Sequence, residues 1–450
     1  MTRIVKIKRG LNIKLKGEAE KQIEQISPVL FSIQPSEFRV FNPRLLVSEG
    51  DVVQAGTPLV HDKRDERILL TSPVSGKVST VIRGEKRKLE HIIIESDQKN
   101  QSVDFRKVQP ENADRQQITA HLLKSGLWPV IRQRPFSIIA NPDEVPDAIF
   151  ISGFDTAPLA PDMVFVMQQY DLDTFQSGID VLKKLTSGNI HLNVHPKSGI
   201  PEMFLQTKNV QINQFYGLHP ASNVGIQIHH IRPVIKGDVI WYIDPQDVVA
   251  IGKLFSKGAL DRSKIFACTG SEFEKTYYFK TIACASVSGI VKNNLKQENA
   301  RIISGNVLTG STISKDGFLG FYDKVVTAIP EGNYFEFFGW AAPGLKKFSL
   351  SRTYFSWLFR NRSYRLDTNK HGELRAFVMT GEYEKVLPMD IMPVQLLKAI
   401  IVKDFELMEQ LGIYEVAEED FALCEVICTS KIESQSIVRE GIDFMIKETN

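Results

Sequence analysis

At 450 residues, with 43% hydrophobic, 24% charged and 9% aromatic side chains, the chain exceeds what one hydrophobic core can serve and has the composition of an ordinary folded protein. Its formal net charge of +2, from 55 basic and 53 acidic residues, provides no overall field to hold it on nucleic acid or on an anionic membrane. Four cysteines (Cys268, Cys284, Cys424, Cys428) are too few for a disulfide framework and point to a reduced, cytoplasmic setting. Residues 1–10 lack the apolar run of a secretory signal, and no stretch approaches the roughly 20 apolar residues of a membrane span. Three or four domains are expected.

Residues 10–95 are dense in turn signals, with Gly50, Gly56, Ser72-Pro73 and Gly76 separating short apolar runs, as in a small all-β domain. The order of these turns resembles the barrel-sandwich hybrid fold of lipoyl and biotinyl carrier domains, with Val53, Leu59, Leu70 and Val78 facing inward. Lys63 falls near the tip where carriers bear their modified lysine. Its spacing is wrong for that, and among Arg64, Asp65, Glu66 and Arg67 it reads as an unmodified, solvated charged turn. Residues 100–110 are polar and read as a linker.

From residue 113 the pattern turns α/β. A helix spans 118–124, a break follows at Gly126, residues 148–153 form a buried strand, 175–185 an amphipathic helix and 190–194 the next strand. This predicts a Rossmann-like sheet with its ligand loop at residues 152–155. A nucleotide phosphate needs a glycine-rich turn opening a helix. Here Gly153 is followed by Phe154, Asp155, Thr156, Ala157 and Pro158, so the phosphate loop is missing. Residues 281–290 and 300–307 suggest short strands of a β-grasp (SLBB-like) module. Beyond 330 come an aromatic block (Tyr334, Phe335, Phe337, Phe338, Trp340), a helical stretch at 393–411 and a last helix at 437–447. The domains are therefore drawn at 1–100, 101–255, 256–330 and 331–450, the last mainly helical.

Three sets of residues could carry chemistry. Cys424 and Cys428, four apart, would share a helical face, but a closed metal site needs four ligands and Cys268 and Cys284 look like small buried hydrophobes, so a metal is rejected. His229 and His230, read within a strand at 225–231, would point to opposite faces and could not chelate together. Trp128, Arg132, Arg134 and Phe136 could stack on and donate to a flat aromatic head group, and an equally direct reading packs them across a domain boundary. An exposed apolar surface at 334–340 would mark a partner contact.

Several long strings, in order along the chain, resemble one family. They are residues 83–89 (RGEKRKL), 125–128 (SGLW), 132–137 (RQRPFS), 217–221 (GLHPA), 242–255 (YIDPQDVVAIGKLF), 302–310 (IISGNVLTG), 338–344 (FGWAAPG) and 418–424 (EEDFALC) through Cys428. The chain is similar to the A subunits of bacterial sodium-translocating NADH:quinone oxidoreductases. Thr429 stands after Cys428 where the family commonly has proline, and residues 33–43 also differ from the usual form.

The resemblance implies a six-subunit respiratory pump that oxidises NADH, reduces quinone and exports Na⁺. In it this chain is peripheral on the cytoplasmic face of the inner membrane, with the other subunits, B to F, as partners, chiefly the membrane-embedded B subunit. NADH, flavins and iron–sulfur centres would belong to those other subunits, with no cofactor here, no catalysis by the isolated chain and no nucleic acid. Trp128, Arg134 and Phe136 become the residues expected near quinone. The competing expectation is a soluble oxidoreductase holding its own flavin, or an electron-transfer protein like the C subunit of Rnf complexes.

Overall fold

The computed structural model describes residues 2–449 except 198, 340, 360 and 361. Two small sheets form a β-sandwich: a four-stranded one built on Gly76–Arg83 and Leu89–Ser96, and a three-stranded one of Pro43–Leu45, Pro58–Asp62 and Leu69–Thr71. Val53, Leu59, Leu70 and Val78 are buried between them, as their alternation predicts. Gly76 is required: a Cβ there would lie 2.0 Å from the Glu95 carbonyl oxygen. Lys63 is exposed in the turn joining the strands that end at Asp62 and begin at Leu69.

The start of the chain also reaches beyond the sandwich. Ile4–Ile7 pairs in parallel with Gln211–Gly217, and Glu20–Gln25 pairs in parallel with Tyr277–Ile282, so the amino-terminal segment contributes edge strands to two other sheets before the sandwich begins. Nor do residues 100–110 behave as a free linker. Phe105 is buried, and its ring lies against Gly56, where a Cβ would come within 2.9 Å.

The α/β region centres on a seven-stranded sheet. Five parallel strands (Ile4–Ile7, Gln211–Gly217, Asn189–Val194, Ala148–Ser152, Ile240–Tyr242) are followed by the antiparallel pair Arg132–Arg134 and Ile138–Ile139. The chain winds outward from Ala148–Ser152 to Gln211–Gly217, then returns to place Ile240–Tyr242 on its other side. The switch point therefore lies between Ala148–Ser152 and Ile240–Tyr242. Ile149, Ile151 and Trp241 join the core that includes helices Leu172–Leu185 and Pro245–Lys257, while Phe150, Ile240 and Tyr242 face helix Val224–Ile231. Gly178 and Gly252 let the first two helices touch: a Cβ at Gly252 would sit 1.9 Å from the Thr174 carbonyl oxygen.

Residues 225–231, expected as a strand, belong to the helix Val224–Ile231. Ile226 packs into the carboxy-terminal core and Ile228 into the sheet, so the helix is apolar on both sides and its period is disguised as alternation. The fourth sheet has six strands in the order Ser311–Ile313, Ala300–Ser304, Val325–Pro330, Ser263–Thr269, Tyr277–Ile282, Glu20–Gln25. Of the 281–290 segment, only the start is strand. The chain turns at Cys284 (φ +69°) and enters the short helix Ser288–Val291.

The carboxy-terminal helices Pro393–Val402, Phe405–Gln410, Ala422–Ile427 and Ser434–Thr449 share a core with Ile7, Phe215 and Ile226 of the α/β region. Helix begins only at Pro393. Between residues 331 and 392 the described chain has just two 3₁₀ turns, so "mainly helical" fits only the part from Pro393 onward. Among the described residues no helix is long and apolar enough to cross a membrane.

Candidate functional site

The crevice beyond the carboxyl ends of Ala148–Ser152 and Ile240–Tyr242 is where a doubly wound sheet would receive a ligand. In this chain it is filled by side chains. After Ser152 the loop turns back on itself: Ser152 Oγ donates to the Ser222 carbonyl at 2.9 Å and Thr156 N donates to Ser222 Oγ at 2.9 Å. Asp155 Oδ1 accepts from Ala157 N at 2.9 Å, and Thr156 Oγ1 lies 3.0 Å from His219 Nδ1. Burial depresses His219 to about 4, so it is neutral at pH 7.

From the second strand, Asp244 caps helix Pro245–Lys257 by accepting from Gln246 N at 2.9 Å. Its other oxygen lies 3.1 Å from Lys324 Nζ, which is also 3.8 Å from Asp155. Burial works against the charge on Lys324, but the Asp244 and Asp155 carboxylates outweigh it and hold the ammonium protonated. Beside it Lys264 and Asp247 form a fully buried pair at 2.7 Å. The Arg132 guanidinium lies between the rings of Tyr242 (4.5 Å) and Tyr322 (4.4 Å). Glu37, from the β-sandwich, accepts from Phe321 N at 2.6 Å, and burial lifts its carboxyl to about 8. Residues 321–324, which lead into the six-stranded sheet, thus plug the switch point, with the sandwich bracing them. A phosphate placed there would meet Asp155 and Asp244 instead of bare backbone amides, so the residues present do not fit a nucleotide or flavin phosphate.

The three residues expected near quinone are placed separately. Trp128 is fully buried, donates through Nε1 to the Ala140 carbonyl at 2.7 Å and meets Trp241 edge-on at 5.5 Å. Arg134, 1% exposed, reaches into the carboxy-terminal region, with Nη2 3.0 Å from Glu419 Oε1 and Nη1 3.5 Å from Asp420 Oδ2. Asp420 is itself buried, which raises its carboxyl to about 6 despite the guanidinium. Phe136 is half-buried, 5.7 Å from Tyr414, at a positive φ of 77°. Trp128 and Phe136 belong to different cores.

All four cysteines are free and buried. Cys424 lies on helix Ala422–Ile427 and Cys428 just past its end, and burial pushes the Cys424 thiol up. Among the described residues no cluster of three or more His, Cys, Asp or Glu is placed to hold a metal. His229 and His230 are engaged separately, with Glu415 Oε2 at 2.7 Å and with the Ile226 carbonyl at 2.9 Å. The aromatic block is different in kind: Phe335 and Phe337 are 105% and 90% exposed, and Phe338 and Tyr334 are half exposed. Trp340 lies outside the described residues.

Sequence reading missed Lys324, Glu37 and Asp420. The only local signal was the Asp244-Pro245 helix start. Its partner Lys324 belongs to a different domain, beyond the reach of any motif.

Matches to known proteins agree in order with this architecture. Residues 5–97 match the NqrA N-terminal barrel-sandwich hybrid domain, 113–260 the NqrA second alpha/beta domain and 265–315 the NQRA C-terminal domain. The A subunit of the Na(+)-translocating NADH-quinone reductase of a Neisseria meningitidis serogroup A strain is 37% identical over 99% of this chain and 100% of its own length. The protein of the same name from Yersinia pseudotuberculosis serotype O:1b is 38% identical over 97% and 98%. That from Haemophilus influenzae strain PittGG is 37% identical over 99% and 100%. An NAD+-reducing [NiFe]-hydrogenase in the H2-reduced state covers 67% of this chain and 54% of its own at 11% identity, with a TM-score of 0.35, a likeness too loose to bear on fold or function. Three family domains in register and end-to-end identity with these relatives establish that the chain belongs to the A-subunit family of Na(+)-translocating NADH-quinone reductases.

Proposed function

We infer that this chain is the peripheral, cofactor-free subunit of a sodium-translocating NADH:quinone reductase. It sits on the cytoplasmic face of the inner membrane, docks chiefly on the membrane-embedded B subunit and serves the pump through its surfaces. Family membership supports the assignment to the complex. The observation that carries the cofactor-free reading is the plugged switch point, where Lys324 binds Asp155 and Asp244 in the space a phosphate would need. In this reading the α/β domain is a Rossmann-type scaffold and the third a β-grasp, SLBB-like module, both kept for assembly. NADH, flavin and iron–sulfur chemistry then belong to the other subunits, and the isolated chain does not catalyse NADH oxidation.

Visible spectroscopy of the purified chain tests this directly. A colourless protein is expected, and flavin absorbance at one equivalent per chain would overturn the cofactor-free reading. Quinone contact is the finer part of the proposal. Trp128 and Arg134 are occupied by Ala140, Glu419 and Asp420, so Phe136 is the member of the trio that would meet a quinone ring. Titration of the complex with a short-chain quinone should give weaker binding for Phe136→Ala. Unchanged affinity removes Phe136 from the site.

A further inference from the structure

The overall charge of +2 hides a strong local bias. Residues 334–365 hold six basic residues against the single acid Glu336, a net charge of +5, so the rest of the chain is at −3. The same segment is also rich in aromatic residues. Many of these side chains present their rings to solvent: Phe335, Phe337, Phe355, Trp357 and Phe359 are all exposed. Exposed aromatic rings gathered in one short stretch of chain are what an interaction surface presents.

Some of the cations are already spent. Lys347 pairs with Glu336, and Arg365 is bidentate on Glu272. Lys346, Arg352 and Arg362 have no carboxylate partner among the described residues. Arg352 and Arg362 instead line a hollow of about 310 Å³ with Lys14, Ser349, Ser356 and Trp357. Arg352 lies 5.9 Å from the Trp357 ring, and Arg362 donates to the Leu345 carbonyl at 2.7 Å. The hollow is anchored to the fold: Tyr364 N donates to the Lys14 carbonyl at 2.8 Å, and Lys16 N to the Tyr364 carbonyl at 2.9 Å.

We propose that the described residues of the 334–365 segment lie against the anionic phospholipid surface of the membrane, with the exposed aromatic rings in the interface and a headgroup phosphate in the hollow between Lys14, Arg352 and Arg362. This rests on the membrane-peripheral reading above and names the surface that makes the contact. Aromatic rings and basic side chains together are what an acyl–headgroup boundary selects, the rings for their apolar bodies and the cations for phosphate. No helix among the described residues is long and apolar enough to cross a membrane, so a lipid contact of this chain would be an interfacial one, beside its docking on the B subunit.

Co-sedimentation of the full chain with phosphatidylcholine vesicles, with and without phosphatidylglycerol, tests the proposal. Binding is expected only to the phosphatidylglycerol vesicles, weakening as salt rises. Arg352→Glu combined with Arg362→Glu should cut partitioning by at least about tenfold. Because Arg362 also holds a backbone carbonyl, Phe335→Ser with Phe337→Ser provides a second variant free of that role, and about a tenfold loss is expected there too. Lys107→Glu with Lys124→Glu, in the separate hollow of about 560 Å³ beside His121, should leave binding unchanged. Failure of the wild type to bind, indifference to the charge or aromatic variants, or an equal loss in the Lys107/Lys124 control overturns the lipid contact. If the chain binds the detergent-solubilised B subunit, yet no vesicle, the lipid contact is rejected and the docking role stands. If it binds neither, both are rejected.

Discussion

Residues 127–136 and 334–365 draw on the same side chains, Trp, Phe and Arg, and use them in opposite ways. In the first, Trp128 and Arg134 are enclosed, one by Trp241 and the Ala140 carbonyl, the other by Glu419 and Asp420. In the second, Phe335 and Phe337 stand in solvent, and Arg352 has no acidic neighbour among the described residues. The difference is not in the composition of either run. It lies in what the rest of the chain delivers: the carboxy-terminal region brings carboxylates to Arg134, and among the described residues no element is laid over Phe335 and Phe337. An aromatic–basic run is therefore a structural joint or a docking face according to whether its partners come from within the chain.

The largest effect expected is on the joint. Arg134→Met leaves Asp420 buried without its cation, and chemical denaturation at pH 8 should show a loss of about 3 kcal/mol. The loss should shrink toward pH 5, because an Asp420 carboxyl already near 6 can take up a proton instead of remaining charged. A loss below about 0.5 kcal/mol, the range of ordinary surface changes, would mean that the run is no joint.

Next in size is a pH effect at the closed end of the sheet. The folded-state value of His219, about 4, lies below its ordinary 6.5. Its contribution is therefore complete above about pH 6.5 and is lost as pH falls toward 4, costing roughly 2 to 3 kcal/mol. His219→Gln should flatten that part of the stability–pH profile, and an unchanged slope would place the titration elsewhere.

Trp128→Phe keeps an aromatic ring but strands the Ala140 carbonyl and leaves a small void, so about 2 kcal/mol should be lost on denaturation. Smallest is Phe335→Ser. An exposed ring supports nothing inside the fold, and stability should move by no more than about 0.5 kcal/mol. A large loss there would erase the contrast between the two regions.

Much of the architecture was readable because its signals are local. The turn glycines and alternating residues of the sandwich placed Val53, Leu59, Leu70 and Val78 inside, and the strands at 148–152 and 189–194 announced themselves, the first as an apolar run and the second by alternation. The missing phosphate loop was equally plain, since a cradle of glycines is a contiguous motif. Helix Val224–Ile231 was misread because it is buried on two sides. That the strands Ile4–Ile7 and Glu20–Gln25 pair with the remote strands Gln211–Gly217 and Tyr277–Ile282 was not legible, because edge pairing leaves no local trace.

By itself, then, the sequence determined the family, the order of the domains and the absence of a phosphate-binding turn, all of which are written in contiguous residues. Only the tertiary structure decided that Lys324, Tyr322 and Glu37 converge on the carboxyl end of the α/β sheet, that Arg134 is bound to Asp420, and that Phe335 is left uncovered. The physical reason is the same in each case. A buried charge is tolerable only beside its counter-charge, and an aromatic ring gains free energy only when something covers it. In this fold the groups that meet these needs come from remote parts of the chain, or do not belong to its described residues at all.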